Sequence, residues 1–405
     1  MKSLTKIYYT ESSDEYETAY HTRYAAPNAE HFPISIQQYH RPKNYPAFFY
    51  YTSDMLLTLE QLYQYYEKFL YVVNTVPPVV LHQFALLSIL DEVKSTNDIE
   101  GVHSTRKELR DILNGTATHT ERFHSIVNKY KGLLENNDIV FENCQDIRNF
   151  YDEFAHEEIA YENPSNRLDG QIFRKEPVEI DSPTGKVLHQ GVYPESKIKE
   201  AMQHTLDILH SSTLPFWVRL GLFHYLFAYI HPFYDGNGRT DRFITSYFMQ
   251  KEFHPLIALR LSVYIKKNRA MYYKLFEEAD SEINRGDLTP FITGFLHIIV
   301  GTIQDTIGLL SRKNEQLERA EKQITTLCPH DEILQDMYYI LLQAALFYGQ
   351  GISITEITKI TGKARPTIQK RLNTIPQEHL IITKTKKTIF YKLNLLLFKK
   401  TSIKS

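Results

Sequence analysis

The sequence predicts a mainly α-helical fold broken by one β-hairpin, with a small mixed module at its C-terminal end. Three observations carry this expectation. From about Pro78 onward apolar residues recur at helical spacing, as in "PPVVLHQFALLSILDEVK". Alternating polarity around "DSPTG" interrupts that rhythm. Residues 351–405 change both pattern and charge, with 12 Lys/Arg against Glu356 and Glu378. Of a net charge of −2 the tail carries +10 and the rest −12, which predicts an anionic partner for the tail.

Taken in order, the first 75 residues hold 13 of the 28 tyrosines with few helical runs, predicting an irregular aromatic arm packed on the body. Helices are expected from Pro78, where proline suits a first turn, to Asn137, then over 145–162 and 195–210. Between these, "PVEI" and "KVLHQ" flank a Pro-Gly turn and predict the hairpin. "PFWVRLGLFHYLFAYI", residues 215–230, is apolar nearly all round and predicts a central buried helix. Further helices are expected over 268–280, 289–311 and 312–327, the last a charged connector. In the tail, "ISITEITKITGKARPTIQKRLNTI" reads as two helices about a Thr-Gly turn. "HLIITKTKKTIFYKLN" reads as two strands about a basic tip, and together they have the grammar of a winged helix-turn-helix.

A chain of 405 residues with 42% hydrophobic and 23% charged content suits two or three globular domains. Cys144 and Cys328 are the only cysteines and lack metal-type spacing, which argues against a disulfide framework. No signal-like apolar run opens the sequence and no stretch is expected to span a bilayer, so a cytoplasmic location without a membrane partner is expected.

The loop "HPFYDGNGRTDR", residues 231–242, concentrates the chemistry. Gly236 and Gly238 let consecutive N–H groups point inward at a helix start, a site for an anion. Arg239 and Arg242, three apart, project towards the same place. Asp235 can hold a hard cation such as Mg²⁺ together with phosphate oxygens. His231 suits a general base acting on a hydroxyl, and Phe233 fixes the loop in the core. "NG" alone marks a common turn. Eight defined positions at roughly one in twenty each make a chance match on the order of 10⁻⁸.

This stretch resembles the active-site motif of the Fic (Fido) family, H-x-F-x-[D/E]-G-N-G-R-x-x-R, with every defining position present. The resemblance implies a Fic-type helical core with a hairpin flap over 145–300. It implies transfer of AMP from ATP, with Mg²⁺, to a Ser, Thr or Tyr hydroxyl of a target protein or of the chain itself. His231 then deprotonates the hydroxyl, Asp235 holds Mg²⁺, and Gly236, Asn237 and Gly238 line the anion hole. Arg239 contacts the phosphates and Arg242 the γ-phosphate. Tyr272 and Tyr273 fall where the family binds the nucleoside, while Asp280 stands where many relatives have Asn. Val178, Glu179, Ile180 and Asp181 lie in the stretch resembling the flap that covers ATP and aligns the target by strand addition. The motif reads phosphates, so AMP versus another nucleotidyl group stays open.

Upstream, Thr96, Glu100 and Gly101 resemble the family's inhibitory motif, [S/T]-x-x-x-E-[G/N], which implies Glu100 paired with Arg242 in place of the γ-phosphate. The plain alternative is a glycine cap after a solvated acid. The expected segments are 1–144 with arm and inhibitory helix, 145–300 as catalytic core, 301–330 as connector and 331–400 as winged helix-turn-helix. Three other readings stand beside the transferase. One is a DNA-binding regulator with a Fic sensor core, touching DNA through Lys363, Arg365, Lys370 and Arg371 and through Lys384, Lys386 and Lys387 at the wing. Another removes AMP at the same site, with Glu100 orienting a water. The third is a metal hydrolase on His224, His231 and Asp235. Oligomeric state is open, a homodimer being one option.

Overall fold

Short polar caps set the first elements. Ser3 accepts a hydrogen bond from Lys6 N to open α1 (Leu4–Thr10), and Ser12 and Glu15 form a reciprocal capping box at α2 (Ser13–Tyr24). An antiparallel pair follows, β1 (Ala29–Gln37) with β2 (Asn44–Tyr50). Its register slips between His31 and Ser35, where Pro33 has no N–H to give. With α3 (Ser53–Asn74) this corrects the irregular arm expected for residues 1–75 to ordered helices and a hairpin. The tyrosines obscure the pattern because they supply apolar area while keeping a polar tip. Tyr16 donates to Ile283 O at 2.6 Å, and the Arg285 guanidinium lies over the rings of Tyr16 and Tyr20.

This computed structural model describes residues 2–115, 122–181, 187–385 and 388–398. It comprises two compact units, Met1–Glu67 with Ile89–Gln304, and Lys68–Ser88 with Asp305–Ser405, the boundaries falling inside long helices. In the first unit α4 (Pro78–Ile99) begins at its proline and stops at Gly101, whose φ of +74° lets Val102 N reach back to Asn97 O. After α5 (Arg106–Leu113) and α6 (His124–Leu134), α7 (Cys144–Tyr151) runs through a π turn at Asp152–His156 into α8 (Glu157–Glu162). A hairpin of β3 (Glu179–Asp181) and β4 (Val187–Gln190) leads to α9 (Glu195–Leu209). Its tip, residues 182–186, is outside the described residues.

The core is built on α10 (Phe216–Ile230), twelve of whose fifteen residues are buried. It packs on α9 and on α11 (Asn237–Glu252), which α12 (Pro255–Ala258), α13 (Leu261–Lys267) and α14 (Arg269–Asp280) follow. Gly221 lets α10 approach Phe295 of α15 (Thr289–Leu327) closely. Expected as two helices, 289–311 and 312–327 form one of 39 residues, because nothing around Arg312 breaks the backbone ladder. Against the expectation of no bilayer-length stretch, an 18-residue window of α15 has a mean hydropathy of 1.3, apolar enough by length and composition to cross a membrane. Of that window 61% is buried in the protein, with Phe291, Ile292, Phe295, Leu296, Ile299 and Ile303 in the core.

In the second unit α16 (Glu332–Phe347) is followed by β5 (Ile352–Ser353), α17 (Ile354–Thr361), α18 (Arg365–Leu372), β6 (Leu380–Thr385) and β7 (Thr388–Leu393). Ser353 and Glu356 form a capping box on α17, Gly362 ends it at φ +63°, and Pro366 sits in the first turn of α18. The strands form an antiparallel sheet ordered β5-β7-β6. Ile357, Ile368, Leu372 and Leu393 are buried.

Trp217, 1% exposed on α10 and 4.4 Å from the Phe253 ring, tests how far stability rests on this helix. Trp217→Ala is expected to lower unfolding free energy by about 3–5 kcal/mol in urea titrations. Circular dichroism should follow them, since the substitution removes the only tryptophan.

Candidate active site

Two buried helices meet in a loop that must turn sharply without exposing its backbone. His231 caps α10 in the left-handed region, φ 52°, with its N–H on Phe227 O at 3.0 Å. Phe233 stacks on Tyr151 with ring centroids 3.7 Å apart. The Asn237 amide then closes the loop on itself, accepting from Phe233 N at 2.9 Å and donating to Phe233 O at 2.8 Å. The Asn237 side chain thus braces the loop, leaving its backbone N–H at the helix start. Gly236, at φ 78°, opens α11, and a Cβ there would strike Ile159.

No side chain caps α11, so its first N–H groups, at Asn237, Gly238 and Arg239, face outward from the helix start. The first two turns carry two guanidiniums that are 1% and 2% exposed, Arg239 and Arg242. Arg239 donates to Glu158 of α8 at 2.9 Å, while its Nε and Nη2 make no hydrogen bond among the described residues. Arg242 gives Nε to Thr96 Oγ1 at 2.9 Å and Nη2 to Thr96 O at 3.2 Å. Its Nη2 also meets Glu100 Oε1 at 2.7 Å. The Glu100 carboxylate sits so near Gly238 that a Cβ there would collide with it. A carboxylate of the chain thus lies against the first residues of α11. Gly101 ends α4 just beyond, its N–H on Asp98 O at 3.3 Å.

Asp235 is the most exposed member, 43% at its side chain, with Asn166 Nδ2 3.4 Å from Oδ2 and Arg239 Nη2 4.0 Å from Oδ1. Tyr151 donates to its carbonyl at 3.1 Å. Among the described residues no three His, Cys, Asp or Glu side chains cluster as metal ligands. The hydrolase set is therefore dispersed: His224 is fully buried against Thr245 at 2.9 Å, Tyr272 at 2.8 Å and Asp241 at 3.2 Å. That network also takes the Tyr272 hydroxyl into the core. Tyr273 instead lies at the end of α4, its hydroxyl 3.5 Å from Ile99 O.

His231 Nδ1 lies 3.3 Å from Ala228 O, which places the ring proton on Nδ1 and leaves Nε2 as the acceptor. Burial, with His189 and the Arg174 guanidinium beside it, pushes its pKa down to about 3, so the imidazole is neutral at pH 7. Asp280 accepts from Tyr225 at 2.7 Å and lies 3.3 Å from His189 Nδ1 of β4; burial raises its carboxyl. In the hairpin Glu179 accepts from Tyr39 at 2.7 Å, and Val178 O accepts from Gly191 N at 3.0 Å. Ile180 pairs with His189 and Asp181 with Val187.

Four residues escaped the sequence reading. Glu158 and Tyr151 hold the loop from α7–α8, and their only signal is the acidic, aromatic run after residue 144. Glu92, fully buried on α4, accepts from Ser262 N at 2.8 Å and Val263 N at 3.3 Å, and burial lifts its pKa to about 7. Arg174, fully buried, was only part of "FRKEP".

Residues 130–249 match the family model described as Fic/DOC family. A protein adenylyltransferase Fic of Drosophila virilis is 30% identical over 125 residues, 31% of this chain and 23% of the relative. The Drosophila melanogaster protein of the same name gives the same figures. The chain thus spans about a quarter of the length of these curated relatives. A crystal structure of a Fic family protein from Desulfovibrio desulfuricans G20 shares the fold with a TM-score of 0.50 at 19% identity. That likeness covers 85% of this chain and 97% of the other. Through its segment 130–249 the chain is similar to the Fic/DOC family.

Proposed function

We propose that this protein is an adenylyltransferase that moves AMP from ATP to a Ser, Thr or Tyr hydroxyl of a protein. The observation that carries this is one helix start bearing two buried guanidiniums, one with unfilled donors, next to a neutral imidazole. His231 Nε2 takes the hydroxyl proton as the oxygen bonds to the α-phosphorus, and pyrophosphate leaves as the opposite P–O bond breaks. The first N–H groups of α11 with Arg239 and Arg242 receive the phosphate charge. The site fits Mg²⁺ in one respect: Asp235 offers a solvent-facing carboxylate beside the anion cradle, and the ion, when bound, neutralises phosphate charge. The relatives named protein adenylyltransferase support the same reading.

In this reading Glu100 is a brake. Its carboxylate takes the Arg242 Nη2 that a γ-phosphate needs and crowds Gly238. Removal of AMP from a modified protein uses the same residues, with the Glu100 carboxylate orienting a water; incubation with an adenylylated partner decides the direction.

A second function rests on the other unit. We read β5 to β7 with α17 and α18 as a winged helix-turn-helix that binds DNA. Lys363, Arg365 and Lys370 are exposed on or beside α18, and Lys384 on β6. Arg371 is less suited than expected, since it pairs with Asp331 at 2.5 Å. Lys386 and Lys387 lie outside the described residues.

With α-labelled ATP and Mg²⁺, Glu100→Gly is expected to raise self-incorporation of AMP at least tenfold. Adding His231→Ala should lower it by roughly 10²–10⁴-fold. A Glu100→Gly protein that is folded, binds ATP and stays silent sinks the brake. The pKa shift sets a pH test. Because His231 is held below the ordinary 6.5, lowering pH through 6.5 leaves the base unprotonated in the free enzyme. The acid limb of kcat/KM for the Glu100→Gly enzyme is therefore expected below pH 5.5, whereas a limb centred at 6.5 contradicts a buried, neutral base. For the second function, duplex binding in gel shifts should weaken with salt. Replacing Lys363, Arg365 and Lys370 by Ala should flatten the log–log salt slope by up to about 2.7, at about 0.9 per phosphate contact.

A further inference from the structure

Arg174 stands between the hairpin and the loop, and its contacts are unusual for a buried charge. The side chain is 0% exposed, yet it forms no ion pair among the described residues. Its donors go to main-chain carbonyls: Nε to His231 O at 2.9 Å, Nη1 to Glu176 O at 2.7 Å, and Nη2 to Val192 O at 2.9 Å and Ile230 O at 3.5 Å. Its own N–H reaches Pro232 O at 3.3 Å. One residue therefore engages three successive carbonyls, 230 to 232, together with the chain entering β3 and the chain leaving β4. Gly191 makes room for it, since a Cβ there would collide with Arg174 Nη2. Val192 N adds a bond to Ile230 O at 3.0 Å from the same strand exit.

From this geometry we propose that Arg174 is a positioning residue for the transfer reaction, locking the His231 peptide to both stems of the β3–β4 hairpin. The proposal rests on the adenylyltransferase reading. His231 needs such a lock because its left-handed backbone is one that few side chains adopt unaided. Its imidazole hangs from that peptide, so any relaxation of the turn moves the base. A shift of about 1 Å in a reacting group costs on the order of a hundredfold in rate. The guanidinium suits the task better than an ammonium because its donors diverge in one plane and meet several acceptors at once. A carboxylate partner would draw the charge away from the carbonyls; here the peptide dipoles alone receive it.

The experiment compares Arg174→Met, Arg174→Lys and Gly191→Ala in the Glu100→Gly protein. Three readouts apply: AMP incorporation from labelled ATP, ATP affinity by calorimetry, and the His231 imidazole titration by nuclear magnetic resonance. Arg174→Met is expected to lose about a hundredfold in incorporation with ATP affinity held within about twofold. Its His231 titration should move up, because a positive charge beside the ring has gone. Arg174→Lys should keep that titration low and recover part of the rate. Gly191→Ala should slow incorporation with Arg174 still present. Undiminished incorporation in Arg174→Met overturns the proposal. So does an imidazole titration that is the same in all variants, or a rate loss matched by an equal loss of ATP affinity. A silent Glu100→Gly parent counts against the adenylyltransferase reading alone, since the titration still reports the lock without turnover.

Discussion

Two guanidiniums buried in the first two turns of one helix are the constraint from which the site follows. An unpaired charge at that depth is costly, so the fold must bring acceptors to Arg239 and Arg242 from elsewhere in the chain. It does so twice: α8 supplies Glu158, and the end of α4 supplies Thr96 and Glu100. Both helices must therefore converge on the start of α11. The missing side chains at Gly236 and Gly238 are what make that convergence sterically possible, the first against Ile159 and the second against Glu100.

The opposite arrangement holds a few residues earlier. At His231 the nearby charge is positive and lacks a carboxylate, and its donors are matched by peptide dipoles. One side of the loop is thus a place where anions are welcome, and the other a place where a second cation is not. Burial, together with that positive neighbour, keeps the imidazole uncharged beside a cationic cradle, the protonation state in which it can accept a proton.

The loop was legible in the sequence because its glycines, charges and aromatic anchor are contiguous, and local backbone geometry follows from residue type. The central helix was legible for a similar reason: apolar residues on every face leave few alternatives to burial. Glu158 and Arg174 were not, since their meaning lies in partners 81 and 57 positions away that no local pattern announces. The bracing role of the Asn237 side chain was not legible, because an amide can address either a ligand or its own loop, and only the distance to Phe233 decides. The N-terminal hairpin was hidden by tyrosine, which alternates poorly as apolar or polar, and α15 was cut in two where only its surface chemistry changes.

The contact of Glu100 with Arg242 has a consequence for concentration. An acid borne on the same polypeptide competes with free anions at a local concentration that dilution does not lower. Phosphate or another singly anchored anion has little to set against it. In the proposed reading, a polyphosphate that also engages Arg239 and the amides at the start of α11 would gain several contacts for the one it must displace, so the pocket would discriminate by the number of anchoring points a solute offers.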